Sequence, residues 1–199
     1  MTIFEAIRDK NIEKVKEALD AGADINERPG YEKASPLMAA CGAGDPEIIS
    51  LLLERGADGS LRDIEGHTAL FYVFNVENLA ILLNHKFSVN EKNGKNTTIL
   101  MEIIDSEDFE NRIEAVKLMI GKGVRVNDKN DNGWTALAFA SKHNLFEIAE
   151  LLVKNGADVN VNGTYYGDEG AFSGNVALLC SMYNGNKAML KLLKDNGAV

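Results

Sequence analysis

Thr135-Ala136-Leu137 opens an apolar helical run, a second run covers Ile148 to Val153, and the pair closes on Gly156-Ala157-Asp158-Val159-Asn160. The same two signatures recur together along the chain. Ser35-Pro36-Leu37 leads to Gly56-Ala57-Asp58, and Thr98-Ile99-Leu100 leads to Gly123-Val124-Arg125. Thr68-Ala69-Leu70 and a weaker Val176-Ala177-Leu178 fill the series, with Gly22-Ala23-Asp24 and Gly197-Ala198 as further closing segments. The motif leucines lie 33, 30, 37 and 41 residues apart. Self-similarity at this period marks stacked repeats, because one such unit is too small to bury an apolar face alone.

Each part has a physical reason. The Ser or Thr is an N-cap whose hydroxyl accepts from an orphan helix amide. Pro36 and Pro46 sit at first helical positions, where a missing N–H costs nothing. Gly22, Gly56, Gly123, Gly156 and Gly197 fall just past a helix, where a left-handed residue ends it. The 18 glycines against 3 prolines are thus mostly chain-reversal hardware. After the stops come Ile25-Asn26, Val89-Asn90, Val126-Asn127 and Val159-Asn160, which begin a hairpin-like finger. Their Asn is expected to bond its own backbone. Gly66 and Gly133 turn the fingers, and Gly163, Gly167, Gly170 and Gly174 loosen the last one. Repeat 3 carries Lys86-Phe87-Ser88 in place of the glycine stop and is about three residues short between its helices. Lys86 should cost on the order of 1 kcal/mol there relative to glycine.

On these paired motifs the chain resembles the ankyrin-repeat family over essentially its whole length. The resemblance implies an all-α solenoid of six helix-turn-helix repeats with hairpin-like fingers, in one domain over 1–199. The repeats fall at approximately 1–33, 34–66, 67–96, 97–133, 134–173 and 174–199. Lys187, Lys191 and Lys194 on one face of the last helix, and Glu5, Lys14 and Glu17 in the first repeat, fit solvated end caps.

Composition narrows the function. The chain has 199 residues, 45% hydrophobic and 7% aromatic, and a net charge of −9. An acidic chain repels phosphate backbones, so nucleic acid is not an expected partner. No apolar run approaches a bilayer span, and the N-terminal sequence turns charged too early for a secretory leader. A cytoplasmic location and a monomer are expected, unless a leader has been removed. Cys41 and Cys180 are read as reduced and buried.

No catalytic, cofactor or metal site is expected. Asp128-Lys129-Asn130-Asp131-Asn132-Gly133 matches the opening of a calcium loop, but its twelfth position is Phe139 where a bidentate Glu is needed. His67, His85 and His143 are far apart in the sequence and match no metal-ligand spacing. The candidate enzyme groups are scattered, with no paired nucleophile and base.

The resemblance instead implies a protein partner, of basic or mixed charge, in a concave groove lined by finger tips and inner helices. A scaffold is the leading function, and an inhibitor or immunity-like regulator masking an enzyme or receptor surface is the alternative. The tip positions include Tyr31, Glu32, Ile64, Glu65, His67, Lys95, Asp131, Asn132 and Trp134. The residue two after each motif leucine is the groove candidate: Ala39, Tyr72, Glu102, Phe139 and Cys180, with Lys142 and His143 ending the fifth inner helix. Trp134, Tyr72 and Phe139 serve either binding or packing. Asp105 to Glu110 reads as a solvated acidic loop. The long segment from Val161 to Gly174 carries Tyr165, Tyr166 and Phe172; it is expected to touch the partner or to cover the junction of the last two repeats.

Overall fold

The computed structural model describes residues 2–85, 87–167 and 170–199. It forms two compact units, Met1–Gly94 and Lys95–Val199. Each is built from helix pairs.

In the N-terminal unit the inner layer is α1 (Ile3–Arg8), α3 (Pro36–Ala43) and a short 3-10 helix, Ala69–Tyr72; α3 packs on both others. The outer layer is α2 (Ile12–Asp20), α4 (Pro46–Glu54) and α5 (Val76–Asn84), with α4 between its neighbours. In the C-terminal unit α6 (Ile99–Asp105), α8 (Ala136–Lys142) and α10 (Val176–Tyr183) form the inner layer. The outer layer is α7 (Arg112–Gly121), α9 (Phe146–Lys154) and α11 (Lys187–Asp195). Strands β1 (Asn162–Gly167) and β2 (Gly170–Asn175) make an antiparallel hairpin of the last finger, pairing Tyr165 with Phe172.

The caps do what the motif requires. Ser35, Thr98 and Thr135 accept from the amides of Met38, Met101 and Ala138 at 3.3, 3.3 and 3.4 Å. The stop glycines Gly22, Gly56, Gly123, Gly156 and Gly197 all have positive φ. The cores are mostly apolar, with Leu37, Ile48, Leu52 and Leu70 in one unit and Leu100, Leu137 and Leu152 in the other at most 1% exposed. Glu5, Lys14, Glu17, Lys187, Lys191 and Lys194 are all exposed. Cys41 and Cys180 are free and buried. Burial pushes the Cys180 thiol up to about 12, so it is no thiolate nucleophile at neutral pH.

Three expectations need correction. First, Thr68 makes no capping bond, and its inner helix is a single 3-10 turn. Thr68 precedes the next cap, Asn75, by only seven positions, against ten from Ser35 to Asp45, so a full inner helix does not fit. Among the described residues, the buried Thr68 hydroxyl and Asn78 side-chain amide find no hydrogen-bond partner. Lys86 lies outside the described residues.

Second, the finger Asn reaches across to the next repeat. The Asn26 side chain accepts from the Asp58 amide at 2.8 Å, and Asn127 accepts from the Asp158 amide at 2.7 Å. The Asn127 amide also donates to the Gly156 carbonyl at 2.9 Å. Third, Gly163 does not loosen its finger. A Cβ on Gly163 would stand 2.7 Å from the Asn132 carbonyl oxygen, so its bareness permits two backbones to touch.

Candidate functional site

Adjacent fingers in each unit are joined through backbone atoms. The Ile64 amide donates to the Glu32 carbonyl at 3.1 Å, and the Gly94 amide to the Glu65 carbonyl at 2.8 Å. In the C-terminal unit, Asp131 donates to the Lys95 carbonyl at 3.1 Å and Thr164 to the Asn132 carbonyl at 2.9 Å. Backbone pairing links the tips, and several of their side chains are left to face solvent. Tyr31 and Ile64 are exposed hydrophobics, and Glu32, Glu65, Lys95, Asp131 and Asn132 are exposed as well. The Asn96 amide donates to the Asp131 carboxylate at 2.7 Å.

In the N-terminal unit the second finger is fastened to its helix by Asp63. This carboxylate accepts from the Glu65 and His67 amides, each at 2.8 Å, and from the Tyr72 hydroxyl at 2.7 Å. His67 Nδ1 lies 3.2 Å from it, while His67 Nε2 lies 3.1 Å from the Asn93 amide nitrogen. Burial raises the Asp63 pKa, but the donors outweigh it and hold the carboxyl below its ordinary value. Burial and the bond to Asp63 push the Tyr72 phenol up, so Tyr72 stays protonated. With both ring nitrogens of His67 engaged and Tyr72 bound, this cluster positions a finger.

The C-terminal unit gathers more of the expected residues. Trp134 donates its Nε1–H to the Thr164 carbonyl at 2.6 Å. Its ring lies 5.0 Å from Phe139 and 6.2 Å from Tyr165, nearly parallel to the latter at 15°. Tyr165 in turn meets Tyr183 at 5.7 Å. Beneath them Trp134 and Tyr165 pack on Ala138, Val176 and Cys180. Beside the strip, the Lys142 ammonium stands 5.9 Å from the Trp134 ring centre and 5.6 Å from that of Phe139. Lys142 donates to Asp105 at 2.7 Å, and His143 Nε2 lies 2.6 Å from the same oxygen. Lys142 and Asp105 occupy the same helical position, seven residues after the caps Thr135 and Thr98 of successive repeats. Burial raises the Asp105 pKa, yet its two partners outweigh burial and hold the carboxyl low.

The depressed Asp63 and Asp105 values fix a sign. A carboxyl whose folded pKa lies below its unfolded value stabilises the fold above the unfolded value, and that contribution is lost as pH falls through the folded value. Urea titrations should therefore show stability falling below about pH 4. In Asp105→Asn this acid limb should be shallower.

The family model described as ankyrin repeats, three copies, matches residues 3–93 and 74–163. The chain belongs to the ankyrin-repeat family. It is 34% identical over 125 residues to phosphocholine transferase AnkX of Legionella pneumophila, covering 52% of this chain and 13% of that protein. It is 27% identical over 201 residues to human SH3 and multiple ankyrin repeat domains protein 2, covering 98% of this chain and 10% of that one. The chain thus spans only a small part of these relatives' length. A solved ankyrin repeat domain from Acinetobacter baumannii AYE superposes with a TM-score of 0.79 at 26% identity, covering 99% of this chain and 98% of that one. Ankyrin repeat domains are generally protein-interaction scaffolds and, in most proteins, not catalytic. Among the described residues no helix is long and apolar enough to cross a membrane. Among them, too, no group of His, Cys, Asp and Glu could hold a metal. The oxygens of the calcium-like finger serve its turn: Asn130 Oδ1 accepts from the Asn132 and Trp134 amides at 3.0 and 2.9 Å.

The ankyrin register of the last repeat differs by one residue from its apparent motif. Asn175, not Val176, caps α10, accepting from Leu178 at 3.1 Å. Ser141 and Ser181 confirm the frame, each donating to the carbonyl four residues back, Leu137 and Ala177, at 2.9 and 2.8 Å. Leu179 therefore takes the place of Phe139 and Glu102, and Cys180 points inward at 1% exposure. The shift also brings forward two residues absent from the sequence candidates, Met182 and Tyr183, exposed at 60% and 57%. They correspond to Lys142 and His143 of the preceding repeat. Phe172 is exposed on β2, while the Tyr166 side chain lies outside what is described. The acidic loop is only half solvated: Glu107, Asp108 and Glu110 are exposed, but Phe109 is 5% exposed and Asp105 is paired.

Proposed function

We propose that this ankyrin repeat domain binds a protein partner on its C-terminal unit, across the face that carries Tyr165, Met182, Tyr183 and Phe172 beside the finger tips. The observation that supports the reading is the aromatic strip. Trp134 and Phe139 anchor it against the core, Tyr183 stands in solvent at its open edge, and the exposed Met182 precedes Tyr183 on α10. Aromatic side chains that are rigidly backed yet exposed give large contact area at small entropic cost, the usual make-up of binding hot spots. The chain acts by surface complementarity as a monomer, and its net charge of −9 favours a partner of basic or mixed charge.

Tyr183→Ala tests the reading directly, because the ring sits on the surface against Tyr165 and truncating it opens no core. Affinity capture from cells that naturally make the protein should retain at least about tenfold less partner with Tyr183→Ala than with wild type. The melting temperature should stay within about 2 °C. Equal capture by both proteins would refute this face as the partner surface. Assaying the captured partner with and without the domain separates a scaffold from an inhibitor.

A further inference from the structure

We infer that the Asp105 end of the aromatic strip is a receptor for an arginine side chain of the partner, and that Lys142 fills this receptor in the free protein. The inference rests on reading this face as the partner surface and specifies what it takes. The Lys142 ammonium is held between one carboxylate and two rings: 2.7 Å from Asp105, 5.9 Å from the Trp134 ring centre and 5.6 Å from that of Phe139. That is the arrangement a cation requires, with a negative oxygen on one side and aromatic faces on the other. His143 on the same Asp105 oxygen keeps the carboxylate in place when Lys142 leaves.

Lys142 is a weak tenant. Its side chain is 41% exposed, it is anchored by one ammonium, and solvent is open to it. A guanidinium is planar and less strongly hydrated. It can stack on an aromatic face and still present several donors to the carboxylate, where an ammonium offers a point charge. An arginine from a basic segment would therefore displace Lys142 toward water, and the acidic charge of the chain would draw such a segment in.

A hexa-arginine peptide, titrated at physiological salt and followed by the fluorescence of the sole tryptophan, Trp134, is the probe. Charge-matched variants separate the receptor from general attraction to an acidic protein. Glu150 and Lys154 lie on α9 and pair with each other at 3.5 Å, away from the strip, so they serve as the matched controls. Asp105→Asn should weaken peptide binding about three- to tenfold more than Glu150→Gln. Lys142→Met should tighten it about threefold more than Lys154→Met, a gain that no loss of folding can imitate. If the two members of each pair change binding equally, the receptor is overturned. The capture experiment with Tyr183→Ala decides the partner surface by itself, so the receptor can fall while the surface stands.

Discussion

Trp134→Ala should destabilise the C-terminal unit by about 2–4 kcal/mol, a large loss for a residue at a finger tip. The ring does three jobs at once. It covers Ala138, Val176 and Cys180, stacks on Tyr165, and donates Nε1–H to the Thr164 carbonyl at 2.6 Å. Truncation removes apolar cover from the core and the side-chain tie from Trp134 to the β1–β2 hairpin. Trp134→Phe keeps a smaller ring and loses the hydrogen bond with part of the apolar cover, so it should cost less, about 1–2 kcal/mol. The check is urea unfolding followed by far-ultraviolet circular dichroism, since these variants lose the only tryptophan signal. A loss below about 0.5 kcal/mol for Trp134→Ala would mean that the hairpin holds without it. Tyr183→Ala, by contrast, should move affinity and leave stability nearly unchanged. The pair of variants thus separates the backing of the strip from its contact edge.

Gly133→Ala should cost about 2–4 kcal/mol for the addition of one methyl group. Gly133 has φ +77°, and a Cβ there would lie 2.8 Å from the Gly163 Cα and 2.9 Å from the Asn162 carbonyl oxygen. Both obstacles are backbone of the neighbouring finger, so no flexible side chain can swing aside. Gly156→Ala is the control. Its φ is +84° but its Cβ would meet nothing within 4 Å, so only the left-handed penalty of about 1 kcal/mol applies. The difference between the two measures finger-to-finger contact separately from backbone strain. Equal losses would show that the fingers can part at little cost.

Sequence revealed what is local and hid what depends on a neighbour. Caps, stops and apolar runs are local, so the repeat, its glycine stops and the solvated ends at Glu5 and Lys191 could be read directly. The shortened third repeat was also visible, because Thr68 and Asn75 stand too close for a helix to fit between them. The reach of Asn26 and Asn127 into the following repeat was not visible, since it depends on how far apart successive turns lie. The frame of the last repeat is hidden in the sequence because Asn175 caps where the other inner helices carry Ser or Thr, and Val176-Ala177-Leu178 imitates the motif one residue late. A cue existed: Ser141 follows Thr135, and Ser181 follows Asn175, at the same interval. That interval sets Tyr183 at the position of His143 in the preceding repeat. The hairpin pairing of β1 with β2 left only a faint trace in the alternation around Tyr165 and Phe172.

The backbone bonds between fingers carry a consequence for how such a surface can change over generations. Ile64 to Glu32, Gly94 to Glu65, Asp131 to Lys95 and Thr164 to Asn132 are all amide-to-carbonyl links, indifferent to the side chains they join. Mutation can therefore rewrite the chemical lettering at Glu32, Glu65, Lys95 and Asn132 while the frame that displays it stays intact. Specificity becomes cheap to revise, because a new recognition pattern need not be accompanied by a new solution to folding. The bare positions where two backbones touch, Gly66 against Gly94 and Gly133 against Gly163, are closed to that freedom.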